Sequence, residues 1–136
     1  MAETLCSLKK YGGGSLKETV LWTNASPTAA FNNQTVTLSE DMTHFDYIKI
    51  IFLQNSSDTP LKYLTVIHPV DEFANTGLSG SVISGGVGYN QSIAMWSRSY
   101  AHASDTSVQF SKLLRMSGTS AGSQNICIPQ SISGLK

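Results

Sequence analysis

The segment YIKIIFLQ, residues 47–54, limits this chain more than any other. Ile48, Ile50 and Phe52 fall on one face of a strand, and Tyr47, Lys49, Ile51 and Leu53 on the other. Apolar residues on both faces require a central strand, covered on both sides for most of its length.

The rest of the chain supplies its neighbours. Residues 18–23 and 34–38 read as short strands, separated by a turn that begins Asn-Ala-Ser-Pro. Ser39-Glu40-Asp41 leads into a loop or a single helical turn. After the turn cluster at 55–60, residues 61–67 form the second arm of a hairpin, and His68-Pro69 ends it because proline cannot donate to the ladder. Residues 71–90 are the least regular part, rich in Gly and Ser, with one short strand expected around Val82-Ile83. Residues 93–103 alternate, then short strands follow at 107–110 and 113–116. A Ser/Gly loop at 117–124 precedes a closing strand at 125–133, with Ile126, Ile128 and Ile132 on one face. About eight short strands separated by turn signals, with no helix inside the domain, predict an antiparallel β-sandwich of jelly-roll-like form.

The domain expected is residues 16–136. Residues 1–15 form a separate N-terminal segment. Residues 2–10 fit about two helical turns with Leu5 and Leu8 on one face, ended by Gly12, Gly13 and Gly14. The segment reads either as a frayed terminus or as a short docking peptide on a glycine hinge.

The chain has 136 residues, nine Lys+Arg and nine Asp+Glu, so its formal net charge is zero. Only 13% of residues are charged, about half the usual share of roughly 25%. Ser and Thr take that place and make up about a quarter of the chain. Without a basic surplus, nucleic acid is not the expected partner. A neutral surface also offers little repulsion between copies. There is no apolar run of about 18 residues to span a membrane, and the start, MAETLCSLKKYGGG, has no signal-peptide core. The expectation is a soluble product of the cytosol with Cys6 and Cys127 as thiols. The glycosylation-type triplets at Asn24, Asn33, Asn55 and Asn90 then arise by chance.

Reactive groups are sparse. His44, His68 and His102 lack the close spacing of metal ligands. The many serines lack a G-x-S-x-G elbow. The neighbouring carboxylates Glu40-Asp41 and Asp71-Glu72 suit solvated loops better than paired acid–base work. SGGVGYN has neither the Lys nor the helix of a phosphate loop. No cofactor, metal or catalytic activity is expected. Trp96, Arg98, Tyr100 and His102 share one strand face. That face packs on the second sheet, meets a neighbouring subunit, or serves as a ligand platform, since aromatic and Arg side chains are common anchors.

LWTNASPTAAFNNQTVTLS followed by FDYIKIIF resembles the opening of a family of small bacteriophage proteins. In that family a strand ends in Leu-Trp-Thr-Asn, and Ser-Pro-Thr, an aromatic, Gln-Thr and an apolar strand follow. Arg98, Val108-Gln109-Phe110, a Gly/Ser/Asn-rich loop, Ile126-Cys127-Ile128-Pro129 and the close Ser133-Gly134-Leu135-Lys136 extend the likeness from Thr19 to Lys136. This chain lacks the aromatic that the family more often carries before the closing glycine.

The resemblance implies a virion structural protein of the fibre, decoration or receptor-binding type, made in the host cytoplasm and displayed on the particle. It implies no functional residues. The expected partners are other virion proteins, reached through Leu5 and Leu8 in the N-terminal segment, further copies in a homotrimer, and a host cell-surface glycan. Rival expectations are a decoration protein that stabilises the head, a carbohydrate-binding module built on Trp96 and Tyr100, and a hydrolase acting on cell-surface polymer.

Overall fold

The computed structural model describes residues 15–54, 63–75, 79–87, 93–115 and 126–136. The helix expected at 2–10, with Leu5, Cys6 and Leu8, lies outside them, as do the turn at 55–60 and the loop at 117–124. The described residues form nine strands: β1 (Glu18–Thr23), β2 (Gln34–Thr37), β3 (Tyr47–Leu53), β4 (Tyr63–Pro69), β5 (Ser79–Val87), β6 (Ile93–Ser104), β7 (Ser107–Phe110), the two-residue β8 (Leu114–Arg115) and β9 (Ile128–Leu135).

One sheet has the order β1-β9-β3-β4 and the other β2-β7-β6-β5, with β8 pairing β6 beyond the end of β7. Every pairing is antiparallel. The all-β sandwich expected from the strand spacing is the architecture that forms. The links from β1 to β2, β2 to β3, β4 to β5 and β8 to β9 pass from one sheet to the other, β3 and β4 form a hairpin, and β5-β6-β7 is a meander. The first and last strands lie side by side.

β3 takes an interior place in its sheet, hydrogen-bonded to β4 on one side and β9 on the other, but a two-layer sandwich covers only one of its faces fully: Tyr47, Lys49 and Ile51 on the outer face stay partly exposed. Its Ile48, Ile50 and Phe52 are fully buried against the second sheet. The opposite layer contributes Val36, Val82, Val108 and Phe110. Phe52 spans the two layers, with ring centroids 5.7 Å from Tyr100 and 6.1 Å from Phe110.

Two glycines exist because an aromatic ring fills their place. A Cβ on Gly134 would come within 2.3 Å of the Phe45 ring, and one on Gly80 within 2.4 Å of the Tyr100 ring. Phe45 follows a short 3₁₀ turn, Met42–His44, whose Asp41 cap accepts from the Thr43 backbone N–H at 2.8 Å. That turn is the one expected after Ser39-Glu40-Asp41.

The irregular stretch after residue 70 corrects the sequence reading. It contains a helical turn, α1 (Val70–Phe73), that buries Val70 and Phe73, and its long following strand β5 covers nine residues in place of the short one expected at Val82-Ile83. Glycine and serine hid the strand, and four residues, VDEF, are too few to show a helical period. Gly80 and Ser81 make strand by pairing with β6, not by any apolar signal of their own.

Candidate functional site

The face of β6 that the sequence offers as a platform turns inward. Trp96, Arg98 and Tyr100 are buried, and the His102 side chain is only 11% exposed. The sheet-packing alternative is therefore the one observed, and these residues present no open surface to a ligand. Inner and outer faces of a strand alternate alike, so the pattern alone could not choose between them.

Arg98 works as a structural clamp. Its Nε donates to the Cys127 carbonyl at 2.8 Å, Nη1 to the Ser111 carbonyl at 2.7 Å and Nη2 to the Ile126 carbonyl at 3.4 Å. The guanidinium also lies 5.5 Å from the centre of the Phe31 ring. Burial pulls its pKa down to about 10, which leaves it charged at neutral pH. It thereby holds the break between β7 and β8 and the bend leading into β9, where Cys127 takes a positive φ of 49°. The Cys127 thiol is itself buried.

Tyr100 and His68 form a second interior group. His68 Nε2 lies 2.7 Å from the Tyr100 hydroxyl, and the imidazole stacks on Phe73 of α1 at 5.7 Å. Burial raises the Tyr100 hydroxyl to about 12. Burial lowers the His68 pKa, partly opposed by the Glu72 carboxylate. An acid–base pair is chemically present here, but Tyr100 is 2% exposed and gives a substrate no access. The acidic pairs have structural places too. Asp41 caps the 3₁₀ turn, Glu40 lies 3.0 Å from His44 Nδ1, and Asp71 and Glu72 sit exposed in the first turn of α1. Among the described residues, no three His, Cys, Asp or Glu side chains converge on one point.

An open groove lies elsewhere among the described residues, in the segment joining β1 to β2. A groove of about 430 Å³ runs between these two edge strands, lined by Trp22, Thr23, Asn24, Phe31, Gln34 and Val36 among others. Trp22 is half-buried, packed on Phe31 and Phe110 with centroids 6.2 Å from each. Its indole N–H has no acceptor among the described residues, and it is not a buried unpaired atom, a condition that only Gln54 Oε1 meets among them. It therefore reaches solvent. Gln34 occupies the row of Phe110, at the sheet edge, and is exposed.

The wall of the groove is built from the Asn-Ala-Ser-Pro words. Asn24 Oδ1 accepts from the Ser26 backbone N–H at 2.9 Å, and the Ala29 N–H donates to the Ser26 carbonyl at 3.1 Å, with Pro27 inside the turn. Asn24 Nδ2 donates to the Pro129 carbonyl at 2.8 Å, and Gln130 Nε2 donates to the Pro27 carbonyl at 2.7 Å. The second pair of bonds ties the loop to the irregular point in β9, where Gln130 interrupts the register with β3. Every residue lining the groove is uncharged. Sequence reasoning gave this loop an architectural role only. The available signal was a tryptophan at a strand end followed by uncharged hydrogen-bonding side chains.

No protein-family model matches the chain, and no curated protein matches it.

Proposed function

We propose that this chain is a bacteriophage virion structural protein that is displayed on the particle and acts by binding, not by catalysis. The resemblance of residues 19–136 to small phage proteins motivates the virion placement. The observation that carries the binding role is the polarity of β1. At its start, Lys17 and Lys136 exchange backbone hydrogen bonds of 2.8 and 3.0 Å, so residues 17 and 136 lie side by side. At its other end, Trp22 and Thr23 line the groove. At about 3.3 Å per residue, roughly 20 Å separates Lys17 from the groove. A domain held by residues 1–15, with Leu5 and Leu8 as the apolar anchors, turns its groove away from the particle. A homotrimer completes the proposal, because closed symmetry multiplies weak contacts.

Gold-labelled antibody on purified particles tests the placement. Label at the tail tip supports receptor binding, and label over the head supports a fibre or decoration role. Particles that carry neither label nor the protein itself overturn the virion reading. Removing residues before Ser15 should leave a folded domain that no longer joins particles. Normal incorporation of that truncated chain would refute the attachment role.

A further inference from the structure

We propose that the β1–β2 groove is a binding subsite for an uncharged sugar, with Trp22 as its platform and Gln34 as its principal hydrogen-bonding side chain. This inference rests on the binding role above. Three features of the groove point to that chemistry.

First, it joins an aromatic ring to hydroxyl and amide groups. A pyranose has the matching character, since its C–H face is apolar and its rim is a ring of donors and acceptors. The Trp22 indole N–H and the Gln34 amide have no partner among the described residues. They are ready to bond a ligand without first breaking an internal bond. Second, no lining residue carries a charge, so nothing there would offset the desolvation of a carboxylate or phosphate. Third, the groove is preformed. The four hydrogen bonds of Asn24, Ala29 and Gln130 hold its wall in place, which reduces the ordering lost on binding. Its volume of about 430 Å³ falls in the range of small-ligand sites, roughly 300–1,000 Å³.

An extended peptide added along the strand edge fits less well. The Ser39 N–H already occupies the Leu21 carbonyl at 2.8 Å, so the chain itself blocks the middle of the β1 edge. β2 has only four residues to offer.

The test uses the full chain labelled with ¹⁵N, which has two indole N–H signals, from Trp22 and the buried Trp96. Neutral hexoses and N-acetylhexosamines are titrated to millimolar concentration, with N-acetylneuraminic acid and glucuronic acid as charged probes. A screen of neutral and acidic oligosaccharides runs beside them. The expected result is that a neutral sugar moves the Trp22 signal and leaves Trp96 in place. Gln34→Ala should weaken that sugar about tenfold, the loss expected for one good hydrogen bond. Because Trp22→Ala removes core packing, Trp22→Phe is the better partner variant. It keeps a ring and loses the N–H donor.

Preference for the acidic sugars overturns the proposal, as does binding unaltered by Gln34→Ala and Trp22→Phe. Binding of no sugar by a folded chain overturns it too, as does occupation of the groove by an unstructured peptide library alone. Sugar binding by a protein absent from particles would sink the virion placement and leave this subsite standing. Labelled particles with no sugar binding would do the reverse.

Discussion

The inner face of β6 and the edge formed by β1 and β2 use the same kinds of side chain to opposite ends. Each joins a tryptophan to hydrogen-bonding groups. On β6, the guanidinium of Arg98 is spent on carbonyls of the chain, and the Tyr100 hydroxyl lies against His68. At the edge, the Trp22 indole N–H and the Gln34 amide have no partner among the described residues. Residue type therefore says little about whether a face binds a ligand. What matters is whether its polar groups are already satisfied within the fold.

The comparison breaks most visibly at Arg98. Arg98→Ala would leave several buried carbonyls without their donor, and a loss of about 3–5 kcal/mol is expected. Urea unfolding measures it, and a change below 1 kcal/mol would show that the clamp contributes little. Next comes the ring that replaces a side chain. Gly134→Ala puts a methyl group into Phe45 and should cost about 1–3 kcal/mol. Pairing it with Phe45→Ala should give a combined loss smaller than the sum, because the two changes meet at one place. Strict additivity would mean that the close approach is relieved elsewhere.

A pH series sharpens the contrast further, since the groove has no titrating group and the β6 face touches His68. The folded-state pKa of His68 lies below its ordinary value of 6.5, so the fold binds fewer protons than the unfolded chain. Its contribution is fully present above pH 6.5. It declines as the pH falls below 6.5 and levels off once the folded-state value is passed. His68→Gln should flatten that part of the stability profile. An unchanged slope would place the pH sensitivity at other groups. The smallest effect belongs to the edge itself. Gln34→Ala and Thr35→Ala should alter stability by no more than about 0.5 kcal/mol, and a larger loss would show that the groove rim supports the fold.

The sequence revealed strands wherever a hydrophobic pattern carried them. The bounds of β1 and β7 match their expected ranges, and β3 lies inside its sheet, although only its inner face is fully buried. It failed where the signal is spread over distant partners. β5 is held by its ladder with β6 and by the Tyr100 ring over Gly80, neither of which shows in a local run of Gly and Ser. The burial of the β6 face was hidden for a related reason. Arg98 looks like a surface residue until three carbonyls from residues 111, 126 and 127 fold around it. Trp22 looks like an ordinary strand residue until the β1 and β2 edges open a groove beside it.

The backbone exchange between Lys17 and Lys136 has a mechanical side. A pull between the N-terminal segment and a molecule seated at the far end of β1 runs along that strand. The bonds joining β1 to β9 lie across this direction, so they bear the load in shear and share it. Traction at right angles to β1 would instead unzip the same bonds one after another. The domain is thus strongest along the line on which a displayed protein would be pulled.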